Sequence, residues 1–394
     1  MKNMRTFRIA VFAGDGIGPE ITEPCCDLIQ SACQRISDAD PEHALSLELQ
    51  HLPAGAATYQ SCGEALPRTS IDAARSADAI LLAAMGDPSV RYPDGTEITP
   101  QIDLRFELGL YAGLRPVRSI PGVPVPLADP RAAEIDFVLI RESIEGLFAP
   151  QAPSRRIGDE QAEETLVITR AVSEKLFDAT FALASRRAAT RQLHTNQDRD
   201  VRVTCIDKAN VFPAFAFFRK LFYEAEQRYI EQCSSSDSVS TAKMNPITDH
   251  AYVDIMALNL VTQPWEYDVM VTENMFGDIL SDLGAALIGG MGYAPSADIG
   301  DDNAVFQPCH GSAPDIAGKA LANPTAMFLS GAMMLEWLAD KHECPAAGKA
   351  GQLIVRAVDA AFATSQLRTI ELGGSSGLDD VVKAVSAQLM TLDV

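Results

Sequence analysis

Residues 267–287 read YDVMVTENMFGDILSDLGAAL. The first six form a short apolar run between polar neighbours, which suits a central strand, and from Met275 apolar residues recur at helical spacing. The stretch is therefore strand, turn, helix. On that helix Asp278 and Asp282 stand four residues apart, on one face with Cβ atoms about 5–6 Å from each other. Like charges this close repel unless something cationic lies between them. A solvated acidic face is the plain alternative. Against it, Ile279, Leu280, Leu283, Ala285, Ala286 and Leu287 leave few polar positions for an exposed surface, and carboxylates among buried residues need a partner. Oxygen-only ligands select a hard cation, Mg²⁺ or Mn²⁺ rather than Zn²⁺, and call for a third ligand elsewhere.

A chain of 394 residues predicts one very large or two ordinary domains. Hydrophobic residues at 47% and charged residues at 22% place it in the globular class. A formal charge of −21 argues against nucleic acid and anionic membrane as partners, since both need a basic face. An anionic substrate must then be drawn in by a local cluster of Arg and Lys. The 8 cysteines form no CxxC pair, so reduced thiols of a cytoplasmic protein are expected. No signal-peptide core precedes the first strand, and no apolar run reaches about 18 residues.

Residues 7–13 predict a strand, and GDGIGPE (14–20) a glycine-rich turn opening a helix to about 36. The third glycine comes one residue too early for the GxGxxG fingerprint, so a tight strand-to-helix turn is the plain reading. Strands are expected at 44–52, 77–84, 137–140 and 201–206. Helices are expected at 100–111, 173–188, 213–233, 325–341, 348–364 and from 378, with one inside 247–261 and a hairpin or arm at 165–168. SSSDSVST (234–241) reads as a surface loop. Strands alternating with helices imply α/β, with helices packed on both faces of the sheet.

Four cations fall at element ends: Arg105, Arg115, Arg141 and Lys208. Strand ends are where α/β proteins place ligands, and Arg suits bidentate carboxylate binding. Asp254, in a mostly apolar helix, is the natural third carboxylate for the metal.

Eight segments carry a family resemblance: GDGIGPE, LRFELGLYAGLRP (104–116), IRESIEGLF (140–148), DKANVF (207–212), YVDIMA (252–257), ENMFGDILSDLGAAL (273–287), HGSAPDIAGKALANP (310–324) and GGSSG (373–377). In this order, over nearly the whole chain, they resemble the β-decarboxylating dehydrogenases of isopropylmalate, isocitrate, homoisocitrate, tartrate and D-malate. The resemblance implies a two-domain α/β fold with central sheets flanked by helices. Residues 1–110 plus 289–394 would bind NAD, residues 111–288 would carry substrate, metal and the dimer contact, and the cleft between them would hold the site.

It further implies that a 3-substituted malate is oxidised by hydride transfer to a nicotinamide and then often decarboxylated. Arg105, Arg115 and Arg141 would grip substrate carboxylates, with Gln101 and Ile102 facing the C3 substituent. Asp254, Asp278 and Asp282 would hold Mg²⁺ or Mn²⁺, which polarises the C2 oxygen and steadies the enolate. Lys208 and Asp254 would serve catalysis, Lys208 helping to remove the C2 hydroxyl proton. Both come from the partner subunit in the family, so a homodimer is implied. Ile17, His310, Gly311, Ser312, Ala313 and Asn323 would lie about the adenosine and Asn210 near the nicotinamide. Asp315 would accept from the ribose 2′-hydroxyl and repel a 2′-phosphate, hence NAD.

Two positions depart from the family pattern. Phe148 stands where the family has a Tyr that protonates the carbon released by decarboxylation, and a phenyl ring donates no proton. The open readings are oxidation alone, decarboxylation with water or another side chain as acid, or a paralogue that has lost chemistry. Gln101 and Ile102 replace the leucine pair of isopropylmalate enzymes, and burying an unpaired amide costs about 1–3 kcal/mol. Thr99 and Gln101 match the Ser and Asn spacing of isocitrate enzymes, so a polar or small substituent (tartrate, D-malate or an isocitrate-like acid) is expected over isopropyl. The alternatives are an isopropylmalate dehydrogenase with an altered pocket and a non-catalytic binding paralogue.

Overall fold

The computed structural model describes residues 4–149, 154–195, 201–235 and 246–394. Along the chain come β1 (Arg5–Phe12), α1 (Gly18–Ala39), β2 (Leu45–His51), α2 (Ala56–Cys62), α3 (Arg68–Ser76), β3 (Ala79–Leu82), α4 (Pro100–Glu107), β4 (Ala112–Arg118), β5 (Asp136–Glu142), β6 (Arg155–Ile157), β7 (Gln161–Glu163) and α5 (Arg170–Thr195). There follow β8 (Arg202–Asp207), α6 (Pro213–Ser235), β9 (Ile247–Tyr252), α7 (Val253–Thr262), β10 (Val269–Thr272), α8 (Asn274–Leu287), β11 (Pro295–Ile299), β12 (Ala304–Pro308), α9 (Thr325–His342), α10 (Pro345–Ala363) and α11 (Leu378–Thr391). The fold is α/β, and the chain divides into two units: Met1–Leu110 with Ser119–Pro126 and Ala285–Val394, and Tyr111–Arg118 with Leu127–Gly284.

In the first unit the strands run β2-β1-β3-β12-β11, all parallel except the antiparallel β11–β12 pair. The strands β1 and β3 are apolar on both faces, as buried parallel strands are. Ile21, Cys25, Leu28, Ile29, Ala32 and Ile36 give α1 its buried stripe. The helices α9 and α10 pack tightly because Gly351 has no side chain: a Cβ there would stand 2.7 Å from the Ala332 carbonyl oxygen. In the second unit the order is β4-β5-β10-β8-β9, with only β4–β5 antiparallel. Phe177, Phe181, Phe218 and Phe222 join α5 to α6 through ring contacts.

Several expectations are corrected. The helix expected inside 247–261 is α7, with Asp254 in its first turn; the strand over 247–252 before it was not anticipated, and it forms because Ile247 and Thr248 are β-branched and the segment hydrogen-bonds along β8. Arg115 and Pro116 lie within β4, in register with Leu139 and Val138 of β5, rather than at an element end. The hairpin is β6–β7 rather than 165–168, where Val167 only bridges to Gly146. The strands β11 and β12, and the short helices α2 and α3, carry no periodic signal long enough to read. Ser234 and Ser235 close α6, and the rest of the serine-rich stretch lies outside the described residues. All eight cysteines are free thiols. Among the described residues no helix is long and apolar enough to cross a membrane.

GDGIGPE is a clasp. Gly14 and Gly16 adopt φ of +70° and +58°, and a Cβ at Gly14 would lie 2.1 Å from the Ala84 carbonyl oxygen. The turn buries Asp15, whose carboxylate accepts from Ala56 N at 2.8 Å, Ala57 N at 3.0 Å and Gly86 N at 2.8 Å. One side chain thus ties three loops. Asp15→Ala leaves three N–H groups without their acceptor and is expected to cost about 3 kcal/mol or more, with Asp15→Asn in between. Urea midpoints check this; an unchanged midpoint for the Ala variant contradicts it.

Candidate functional site

In the second unit β5, β10, β8 and β9 run parallel, so their C-terminal ends share one edge. Arg141 lies near the end of β5, paired in register with Thr272 of β10. Its stem lies against α8 because position 277 is glycine; a Cβ there would come within 2.6 Å of Arg141 Cγ. Arg141 Nε donates to Asn274 Oδ1 at 2.8 Å, and its NH1 is ion-paired with Asp278. Asn274 Nδ2 donates in turn to the Glu145 carbonyl at 2.9 Å. The Phe148 ring centroid lies 5.2 Å from the Arg141 guanidinium carbon, within cation–π range. Arg115, on β4, is equally buried.

The expectation that α8 has no room for an exposed face is corrected. Asp278, Ile279, Asp282 and Ala286 form an exposed stripe, because positions four apart align, while Leu280, Gly284 and Leu287 take the buried side. The Asp278 side chain is 52% exposed. The Asp282 carboxyl is held above its ordinary range by partial burial and then by Asp278, with Arg141 and Arg115 opposing. Two hard-oxygen donors under mutual repulsion are the kind of set a divalent cation fits.

Lys208 follows β8 and forms an ion pair with Asp254 at the start of α7, whose carboxyl the hydrogen bond lowers below its usual range. The turn carrying Lys208 is fixed by buried Asp207, which accepts from Ala209 N at 2.7 Å and from Arg219 Nε and NH2 at 2.6 Å each. Asn210 is exposed just beyond. Asp254 is not brought to Asp278 and Asp282: among the described residues, no three His, Cys, Asp or Glu within the chain are placed to hold a metal ion.

In the first unit α4 carries Gln101, Ile102 and Arg105, with Thr99 immediately before it. Arg105 is buried and pairs with buried Asp298 at 3.2 Å; Arg105 Nε and Gln101 Oε1 are buried without a partner. Ile17 and Ser312 meet directly, Ile17 N donating to the Ser312 carbonyl at 2.8 Å. His310 Nδ1 donates to the Gly311 carbonyl at 3.0 Å, and burial lowers its pKa, so the ring is neutral and Nε2 is an acceptor. That Nε2 is buried without a partner. Ala313 takes a left-handed φ of +38°, a strained conformation in the same loop as exposed Gly311 and Asp315. The Asn323 side chain is fully used, donating to Glu371 at 2.6 Å and accepting from Thr325 N and Oγ1.

Sequence reasoning missed Asn274, Asp207, Arg219, Asp298 and Glu371. Asn274 and Asp207 lie in quoted motifs and could have been read from them. Arg219, Asp298 and Glu371 carry no local signal, being distant in sequence from the residues they hold.

The chain matches the isocitrate/isopropylmalate dehydrogenase family over residues 8–394. It is 36% identical to a 3-isopropylmalate dehydrogenase of Methanothermobacter thermautotrophicus over 98% of this chain and 99% of that one. It is 39% identical to the 3-isopropylmalate dehydrogenase of Thermobifida fusca over 85% of this chain and 87% of that one. Among solved structures, isocitrate dehydrogenase from Methylococcus capsulatus superposes with a TM-score of 0.78 at 31% identity, covering 97% of this chain and 99% of that one.

Beside Arg141, Glu142 is buried and accepts from Ile144 N at 2.7 Å and Glu145 N at 2.8 Å. Burial raises its pKa from 4.5 to about 7. Between those values the folded chain holds a proton that the unfolded chain has released, so stability falls as pH rises through this window and is level above it. Glu142→Gln is expected to shallow that fall. Denaturant titrations of both proteins at about pH 5 and about pH 8 decide it, and parallel declines refute it.

Proposed function

The chain belongs to the isocitrate/isopropylmalate dehydrogenase family and is a dehydrogenase acting on a CH–OH group; from that premise we propose that it oxidises the C2 hydroxyl of a 3-substituted malate, using NAD and Mg²⁺ or Mn²⁺, as a homodimer. The observation that carries this reading is the C-terminal strand edge of the second unit, where Arg141 at the end of β5 is ion-paired with Asp278 of α8, just beyond β10. Such edges are where α/β sheets take ligands.

When bound, the cation polarises the C2 oxygen and NAD accepts the hydride. Arg105, Arg115 and Arg141 receive the substrate carboxylates. Asp278 and Asp282 supply hard oxygens from α8, and Asp254 supplies the third from the partner subunit. Lys208 Nζ, held beside Asp254, would help remove the C2 hydroxyl proton, which would pass to a water or a carboxylate next to the ammonium. Unpartnered His310 Nε2, the Ile17–Ser312 contact and Asp315 suit an adenosine whose ribose carries a free 2′-hydroxyl.

The dimer reading has its own support. Ile255, Leu258 and Val261 on α7 and Ile279 on α8 are exposed, Leu258 at 58% and Ile279 at 62%. Exposed apolar residues on the two helices that carry the metal aspartates mark a contact surface. Leu258→Asp is expected to give a monomer by sedimentation and to abolish turnover; an active monomer refutes the shared site. Asp254→Asn and Asp278→Asn should each be inactive, and subunits exchanged between them should recover about a quarter of the wild-type rate, since one site in half of the dimers is intact.

The relatives' names weigh toward 3-isopropylmalate, the reading the sequence placed second. A polar substituent, as in tartrate or D-malate, is favoured by one observation: the buried, unpartnered Gln101 Oε1. NADH formation with Mn²⁺ across these acids separates them. Phe148 offers no proton, so Phe148→Tyr is expected to raise the rate of CO₂ release by about a hundredfold, with NADH formation changed less. Equal CO₂ release by both proteins means another group is the acid.

A further inference from the structure

A cavity of about 270 Å³ in the second unit is lined by residues of β8, β9 and α7 and by Tyr267. It is smaller than the pockets of about 300–1,000 Å³ that take drug-sized ligands, so its occupant is small. Thr204 of β8 and Asp249 of β9 are paired in register, which puts their side chains side by side on one face of the sheet, and Arg202, two residues before Thr204, shares that face. Arg202 donates to one Asp249 oxygen, Oδ2, through Nε at 2.9 Å and through NH2, and its guanidinium carbon lies 5.1 Å from the centroid of the Tyr267 ring. The other oxygen, Asp249 Oδ1, and the Thr204 hydroxyl are buried without a partner. Orphaned polar atoms of this kind cost free energy that a ligand's donors recover. Arg202 NH1 donates to no side chain among the described residues. An anion alone meets the Asp249 charge here, and an amine alone meets the guanidinium. A molecule that carries an ammonium and a carboxylate one carbon apart meets neither objection.

We propose that this cavity binds an α-amino acid with an aliphatic side chain. The ammonium donates to Asp249 Oδ1 and Thr204 Oγ1, the carboxylate accepts from Arg202 NH1, and the side chain lies against Ala251 and Ile255, which also line the cavity. Ile255 belongs as well to the exposed face read above as the dimer contact; the polar groups of the site come from one chain, so binding stands whether or not that face pairs. None of Arg202, Thr204 and Asp249 takes part in the chemistry proposed above, and the inference goes beyond that reading.

The test is calorimetric titration of the full chain with L-leucine, with L-leucine methyl ester, which lacks the carboxylate, and with isocaproate, which lacks the ammonium. L-leucine should bind, and each of the other two should bind about tenfold more weakly or less. Thr204→Val keeps the shape of the side chain and breaks no hydrogen bond of the protein, so it should melt where the wild type does and bind L-leucine about tenfold more weakly. Asp249→Asn should lose as much or more and bind isocaproate better than the wild type does, since the charge that repels a lone carboxylate is gone. If Asp249→Asn melts early, because Arg202 has lost its ion pair, Thr204→Val carries the comparison. Failure of L-leucine to bind at millimolar concentration overturns the proposal. So does isocaproate or the ester binding as tightly as L-leucine, which shows a site for one charge only, and so does undiminished binding by folded Thr204→Val, which places the amino acid elsewhere on the protein.

Discussion

The buried guanidinium of Arg141 is the constraint on which the second unit depends. A charge this deep persists only if it is hydrogen-bonded and paired. Three choices in the sequence meet that demand: glycine at 277 lets the arginine stem lie on the helix, Asn274 accepts from Nε, and Asp278 meets NH1. Because those three residues lie in the first turns of α8, pairing Arg141 also sets how β5, β10 and α8 meet. Asp282, one turn on, then follows on the same face of the helix.

The same device recurs wherever a cation is needed. Asp207 holds Arg219 beneath the turn that presents Lys208, and Asp298 holds Arg105 beneath α4. In a chain of formal charge −21, cations are scarce, and Arg105, Arg141 and Lys208 are each ion-paired with an aspartate. This has a chemical consequence. A cation already satisfied by its own chain attracts an anion less and discriminates more, because the incoming group competes with a fixed carboxylate and must match what is left.

The central strand and helix of residues 267–287 were legible because two periodicities meet there within one segment, an apolar run and then a 3.6-residue repeat. The strand at residues 247–252 was missed because six residues abutting a helix of similar polarity have no period of their own; β8 settles their conformation by hydrogen bonding. The exposed stripe on α8 was misread for another reason. Composition counted the apolar residues of the helix, whereas exposure depends on where they fall around it, and Ile279 lies beside the two aspartates on the outer face. Candidate site residues were legible where they cluster in short motifs. Those that hold them from a distance were not: Asp298 is 193 residues from Arg105, and Glu371 is 48 from Asn323.

Phe148 shows why a single missing atom is best weighed against its surroundings. A ring at 5.2 Å from Arg141 keeps the packing and the cation–π contact that a tyrosine at the same place would give, and loses only the hydroxyl. The arginine, its asparagine and its aspartate are all in place around it. If the site had drifted out of use, the costly element would be the first to lapse: a buried guanidinium is destabilising once any partner is lost, and replacing it by an apolar side chain relieves that cost. Its presence, fully partnered, beside a phenyl ring in place of a proton donor fits a site still built to hold an anion.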